Sequence, residues 1–300
     1  MLFIQNIVNG FIDGATIALM ALALVIVFKT AFANNFSLST ISVFAGYVTT
    51  TIVTSVIKSG GDASVWLIIG AMLLAIVINF FIGFFIDAVL IRNARKIDAS
   101  GRQMITMGLI LVFRALIDII FDPTNYMFAP KFTNTAFGGQ GKISVDAQSL
   151  INVIISLTVL TLVFMALRFT KWGLGVRATA SNEKVASMMS VNTKMITGLS
   201  WAIGAAISGL AAIAFLQAKQ PQLNPTNLNT MMIYAFLALI LGGTQTFHGP
   251  VIAAFLFSVT LNGVYTLTPK WGEVITFSLV MLVVLIKPVG LFGERVAKKV

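Results

Sequence analysis

Charged and potentially reactive side chains are scarce in this chain, and those set among apolar residues limit the chemistry open to it. Asp13 falls in the first apolar run, Asp87 near the end of the third, and Arg114 and Asp118 stand at i, i+4 in the fourth. A charged group at membrane depth is costly and is by default a candidate functional residue. Asp13 would suit an ion-coupled carrier, whereas Arg114 and Asp118 are spaced to pair and offset each other's desolvation. His248 is the single histidine, cysteine is absent and no HExxH occurs, so thiol chemistry, disulfides and the common zinc motif are excluded. Gly138-Gly139-Gln140-Gly141-Lys142 looks like a phosphate loop only superficially. Its spacing departs from G-x-x-x-x-G-K-[ST] and no strand pattern precedes it. No catalytic residue and no metal site are expected.

The surroundings of these groups are a membrane. Of 300 residues 58% are hydrophobic and only 10% charged, with a mean hydropathy of +0.95, far from a soluble domain. Apolar segments lie at roughly 7–28, 36–57, 65–90, 104–120, 148–167, 195–217, 229–247, 250–267 and 272–287, and about 20 apolar residues span the hydrocarbon. One set of connections carries Lys29, Arg92, Arg95, Lys96, Arg102, Arg168, Lys171, Arg177, Lys184, Lys194, Lys287, Arg295, Lys298 and Lys299. The other carries only Lys58, Lys131, Lys142, Lys219 and Lys270. The positive-inside rule places the first set in the cytoplasm and, for nine crossings, the N-terminus outside. The net charge of +10 is spread over these short segments, so nucleic acid is not an expected partner. Met1 to Asn9 lack a basic start and the first cation is Lys29, so the first run reads as a retained reverse anchor.

Between the fifth and sixth apolar segments, Arg177 to Asn192 form a polar and basic island. Val185, Met188 and Met189 stand at i, i+3 and i+4 beside Ala186 and Ser187, predicting a short amphipathic helix. Such a helix suits a groove on a soluble partner or the lipid headgroups.

Two apolar segments are interrupted, one by Asn34 to Thr40 and one by Leu241 to Pro250. Irregular backbone at membrane depth is tolerated where protein buries it or a wet cavity meets it. Paired interruptions in two halves point to a transport path between inverted repeats, with Asn35, Ser37, Ser39, Gly242, Gly243 and Thr244 as its candidate residues. Ordinary loops near a membrane surface are the alternative. In the sixth segment Gly204, Ser208 and Gly209 form a small-residue face that lets helices approach closely, within the chain or across a dimer.

From Trp172 onward the chain resembles the permease subunits of ABC importers of the branched-chain amino acid type. The resemblance rests on Arg177-Ala178, Ala180, Asn182-Glu183, Ala186, Met188-Met189 and Ser190-Val191-Asn192, then Gly204 to Ala212, Leu241-Gly242-Gly243, Gly249-Pro250 and Lys287 to Gly293. The first half is similar more loosely, through Asn35-Phe36 and Gly46-Tyr47. It implies an all-α polytopic membrane protein of eight or nine helices, some broken or re-entrant. Residues 1–300 would form one permease domain in a bacterial cytoplasmic membrane, with a cytoplasmic coupling loop at 169–194 and an external loop at 121–147. Arg177, Ala178, Glu183, Ala186, Met188, Met189 and Asn192 would couple to separate ABC ATPase subunits. Those subunits use the ATP, so the chain itself needs no cofactor and is not an enzyme. A second permease, identical or related, would enclose the path, and an extracytoplasmic binding protein would dock on 121–147 and 218–228. Departures occur at Leu38-Ser39-Thr40, where the family has a His-Gly-Glu run, at Ser190-Val191-Asn192 for Gly-Ile-Asn, and at Phe247-His248 for a usual Ser. They leave the cargo open: branched-chain or other hydrophobic amino acids first, then the amides, urea, nucleosides and sugars carried by relatives. An ion-coupled secondary transporter would instead need Asp13 and no ATPase. An intramembrane enzyme would need a catalytic set that the lone His248 does not supply.

Overall fold

The computed structural model describes residues 2–121, 128–138, 144–219, 222–224, 226 and 228–293, with backbone alone at 2, 95 and 96. The phosphate-loop-like stretch from Gly139 and the cations Lys142, Arg295, Lys298 and Lys299 lie outside the described residues. Among the described residues eleven α-helices carry the architecture: α1 (Leu2–Ala31), α2 (Leu38–Lys58), α3 (Val65–Phe85), α4 (Ala99–Phe121), α5 (Ala147–Phe169), α6 (Lys171–Ser181), α7 (Glu183–Met188), α8 (Thr193–Ala218), α9 (Asn229–Gly242), α10 (His248–Leu267) and α11 (Gly272–Ile286). The protein is an all-α multi-pass membrane protein.

Helix α1 is the central pillar. Its middle, from Ala15 to Val27, is apolar apart from Thr16 and almost fully enclosed, as expected of a helix apolar on all sides. Helices α8, α9 and α10 pack around it, and α8 in turn packs on α2 and α3. The small-residue face of α8 makes these approaches possible. A Cβ on Gly204 would meet Val27 Cγ2 at 2.7 Å, and one on Gly209 would meet Asn79 Nδ2 at 2.6 Å. Ser208 turns its hydroxyl to the Ala205 carbonyl at 3.0 Å. The face is therefore used inside the chain.

Seven helices are long and apolar enough to cross a membrane. The segments expected at 229–247 and 272–287 form α9 and α11, helices of 14 and 15 residues. At 1.5 Å per residue they reach about 21–23 Å, short of the roughly 30 Å hydrocarbon. Seven long spans with α9 and α11 as shorter apolar helices fit the expected eight or nine helices, some broken or re-entrant. Helices still alternate between two ends. The N-terminal end of α1 meets Ser144, Lys219 and Thr266, and its C-terminal end meets Phe247 and Arg102. Arg92, Arg168 and Arg177 share the latter end with Lys29, which by the charge count is the cytoplasmic one.

The outer end is held by amides that look unremarkable in the sequence. Gln148 Nε2 donates to Asn152 Oδ1 and to Gln217 Oε1, both at 3.0 Å. Gln217 Nε2 donates to the Pro130 carbonyl and Asn152 Nδ2 to the Ala214 carbonyl, both at 2.8 Å. All three side chains are buried, so this chain of satisfied bonds ties the outer loop to α5 and α8 without orphaned polar atoms. An antiparallel β1–β2 pair (Ala136–Phe137 with Val145–Asp146) lies beside it.

Candidate coupling surface and translocation elements

The polar island folds as two short helices joined at Asn182. Thr170 caps α6 by accepting from the Gly173 N–H at 3.1 Å. Asn182 caps α7 through Val185 N–H, also at 3.1 Å, and Asn192 caps α8 through Met195 N–H at 3.1 Å. Three side-chain caps in 23 residues satisfy orphan N–H groups at each helix start and hold the region in one shape. On that frame Met188 is 82% exposed and Met189 74%, with Val185 at 53%. The three present an apolar stripe at the cytoplasmic end that none of the described residues covers.

The seven residues expected to couple separate by position. Met188 and Met189 are the outward surface. Ala186 faces inward and is 5% exposed. Ala178 is half-buried in α6, and Glu183 opens α7. Arg177 turns back to donate from Nη1 to the Leu167 carbonyl at the end of α5. Asn192 is the cap of α8. Ser190, where the family carries glycine, has φ of +62°, a left-handed conformation that L side chains resist.

The start of α8 is clamped to α3. A π-helical stretch, Ile86–Ile91, extends α3, and π-bulges concentrate at functional sites. Within it Asp87 is fully buried and pairs with Arg92 at 3.3 Å. Arg92 Nη2 also donates to the Lys194 carbonyl at 3.2 Å. Two residues missed as a unit in the sequence thereby join α3 to the first turn of α8.

Both interruptions lie at the cytoplasmic ends of helices; the first is enclosed by protein, while the second is buried at Leu241 to Gly243 and exposed at Gln245 and His248. Asn35 Oδ1 accepts from Ser37 N–H at 3.1 Å and Ser37 Oγ at 2.7 Å, closing the turn into α2. Phe36 N–H donates to Thr106 Oγ1 at 3.2 Å. Asn35, Ser37 and Ser39 are 0–4% exposed. In the second interruption Gly242 and Gly243 meet the closing motif of the chain. Leu291 N–H donates to the Leu241 carbonyl at 2.7 Å and Phe292 N–H to the Gly242 carbonyl at 3.3 Å. Gly243 has φ of +88°, and a Cβ there would lie 2.5 Å from the Val289 carbonyl oxygen. Thr244 is half-buried in the turn that follows. Sequence blocks some 45 residues apart are one knot of backbone.

At the outer end a cavity of about 450 Å³ lies between α1, α8, α9, α10 and α11. Asp13 pairs there with Lys219 at 3.0 Å and accepts from Asn262 Nδ2 at 3.3 Å. Tyr234 donates to Glu273 Oε1 at 2.7 Å. Asp13 is therefore an ion-paired group of the outer mouth. Arg114 and Asp118 do not pair. Both are exposed on α4, and no ion pair joins them, correcting the expected i, i+4 pair. His248 lies by Phe292, ring centroids 6.4 Å apart.

A bundle of apolar spans with a rigid cytoplasmic platform is the build of a membrane transport subunit. The family described as branched-chain amino acid transport system / permease component matches residues 6–286, and the chain belongs to it. It is 25% identical to the high-affinity branched-chain amino acid transport system permease protein LivH of Salmonella typhimurium, covering 99% of this chain and 98% of that one. It is likewise 25% identical to BraD of Pseudomonas aeruginosa, a permease protein of the same description, over 99% and 98% of the two chains. It is also similar, at 24% over 55% of this chain and 48% of the relative, to the nucleoside ABC transporter permease protein NupB of Lactococcus lactis.

Proposed function

We propose that this chain is the membrane-spanning subunit of a binding-protein-dependent ABC importer for branched-chain or other hydrophobic amino acids. It lines the path together with a second permease and transmits the work of ATPase subunits that bind the cytosolic stripe. The ATP is consumed by those subunits, and this chain performs no catalysis. The observation that carries the reading is the pair Met188 and Met189, 82% and 74% exposed on a helix fixed by side-chain caps. Apolar side chains displayed this way fit a groove on a soluble subunit. Because α8 begins four residues beyond Met189 and is clamped to α3 through Arg92, displacement of the stripe is delivered to two spans.

Arg114 supports the second permease. It projects from α4 two turns short of the outer end, among Leu111 (71% exposed) and Ile119 (78% exposed). An arginine on a lipid-facing surface at that depth is costly, so this face meets another subunit or a wet path. An extracytoplasmic binding protein fits the outer end, where Lys219 and Glu273 border the cavity. The ion-coupled alternative loses its basis, since Asp13 is paired. Nucleosides are the second cargo reading, supported by the similarity to NupB.

The test is co-purification of ATPase subunits with the full chain and with Met189→Asp. Wild type retaining ATPase while the variant loses it, with equal membrane insertion, is the expected result. Equal retention would remove the stripe as the docking surface. Ala186→Asp is uninformative, because Ala186 is buried. Radiolabelled leucine and uridine uptake by the complete importer separates the two cargo readings.

A further inference from the structure

At the cytoplasmic end a cavity of about 590 Å³ is bounded by Lys29 of α1, Arg168 of α5, Arg177 of α6 and His248 at the start of α10. No Asp or Glu lines it, and among the described residues no carboxylate pairs with Lys29, Arg168 or Arg177. Lys29 is half-buried, with its ammonium 4.9 Å from the Phe247 ring centroid. Arg168 lies over the Phe169 ring and Arg177 donates to the Leu167 carbonyl, so each is held in place but lacks a carboxylate; with Lys29 they border one space that favours an anion. The rest of the wall includes Phe164, Leu167 and Phe247, so the cavity is cationic at one side and apolar at the other. It sits at the helix ends, the depth of lipid headgroups. An acyl chain could lie against Phe164 and Leu167 of α5 in that wall.

We propose that this cavity binds the phosphate of an anionic phospholipid, its acyl chain lying along α5, and that an ordered lipid thereby braces α6 against α1 and α5 at the root of the coupling platform. Basic pockets between spans on the cytoplasmic side are suited to such headgroups. A carboxylate from a docked soluble subunit would satisfy the charge but leave the apolar wall unmatched.

The experiment uses the full chain in a neutral detergent. Dioleoylphosphatidylglycerol, dioleoylphosphatidylcholine and inorganic phosphate are titrated separately, with binding read by native mass spectrometry and by thermal shift. Retention and stabilisation by phosphatidylglycerol alone are expected. The double variant Lys29→Gln/Arg168→Gln should weaken that binding about thirtyfold, at roughly 1 kcal/mol per cation. Arg168→Gln alone, at an exposed position, serves if the double variant fails to fold and should weaken it about fivefold. Equal binding of both lipids, or unchanged phosphatidylglycerol binding in the variants, would overturn the proposal. Equivalent stabilisation by inorganic phosphate would make this a free-anion site. Phosphatidylglycerol binding abolished by adding the ATPase subunits would assign the cavity to protein docking.

Discussion

Single residues decide how the platform keeps its shape. Ser190 holds a φ of +62° between α7 and α8, and a non-glycine residue in that region costs about 1 kcal/mol. Ser190→Gly should therefore stabilise the chain by up to about 1 kcal/mol, less whatever the extra freedom of glycine in the unfolded chain removes. A thermal melt of the purified protein checks it, and a lowered midpoint would show that the Ser190 side chain contributes more than its backbone conformation costs. The sequence comparison had marked Ser190 as a departure from Gly-Ile-Asn, and the structure shows which physical quantity departs. Met188 and Met189 were legible from their spacing. The inward turn of Ala186 was not, because a six-residue helix has too few turns for periodicity to separate its faces.

Between elements the informative contacts are polar bonds that cross helices. Asp87, fully buried, and Arg92 bind α3 to the Lys194 carbonyl. Arg92 is 29% exposed, so losing Asp87 leaves it partly solvated and costs about 1–3 kcal/mol. Asp87→Ala should thus lower the heat tolerance of the detergent-solubilised chain, measured by the monodisperse fraction after heating, and Asp87→Asn should cost less because it keeps an acceptor. Equal, small losses in both would show that the clamp contributes little. Sequence reading placed Asp87 at the inner end of its span but could not pair it, since the π-helical stretch that aims it at Arg92 leaves no mark in residue types. Similarly, Gln148 and Asn152 sit at i, i+4 in an apolar run and so announce an inward polar face, yet Gln217, the third member, lies 65 residues beyond Asn152. The apolar runs themselves were readable, because a membrane demands continuous hydrophobicity. The shortness of α11 was legible too, since it fills nearly all of 272–287 before Lys287, and α9 stops at Gly242, where Gly243 to Thr246 break the apolar run.

For the whole molecule, the proposed second permease or wet path would keep the α4 face around Arg114 out of lipid. A chain without cysteine allows this to be read directly with single thiols. Arg114→Cys in native membranes should react with a water-soluble maleimide, since thiolate chemistry needs a wet site, whereas Ile154→Cys, 65% exposed on α5, should stay unlabelled in lipid. Labelling at neither position would rule out a wet path at the α4 face. The knot formed by Leu241, Gly242, Leu291 and Phe292 carries a consequence for biosynthesis. Two carbonyls of α9 find their partners only in a stretch that leaves the ribosome about 50 residues later, so the α9–α10 hairpin enters the membrane incomplete. Each buried polar group left open costs about 1–3 kcal/mol. A chain stopped after residue 286 should accordingly be inserted but short-lived in pulse-chase labelling, which makes the 287–293 motif a checkpoint on assembly of the α9–α10 hairpin.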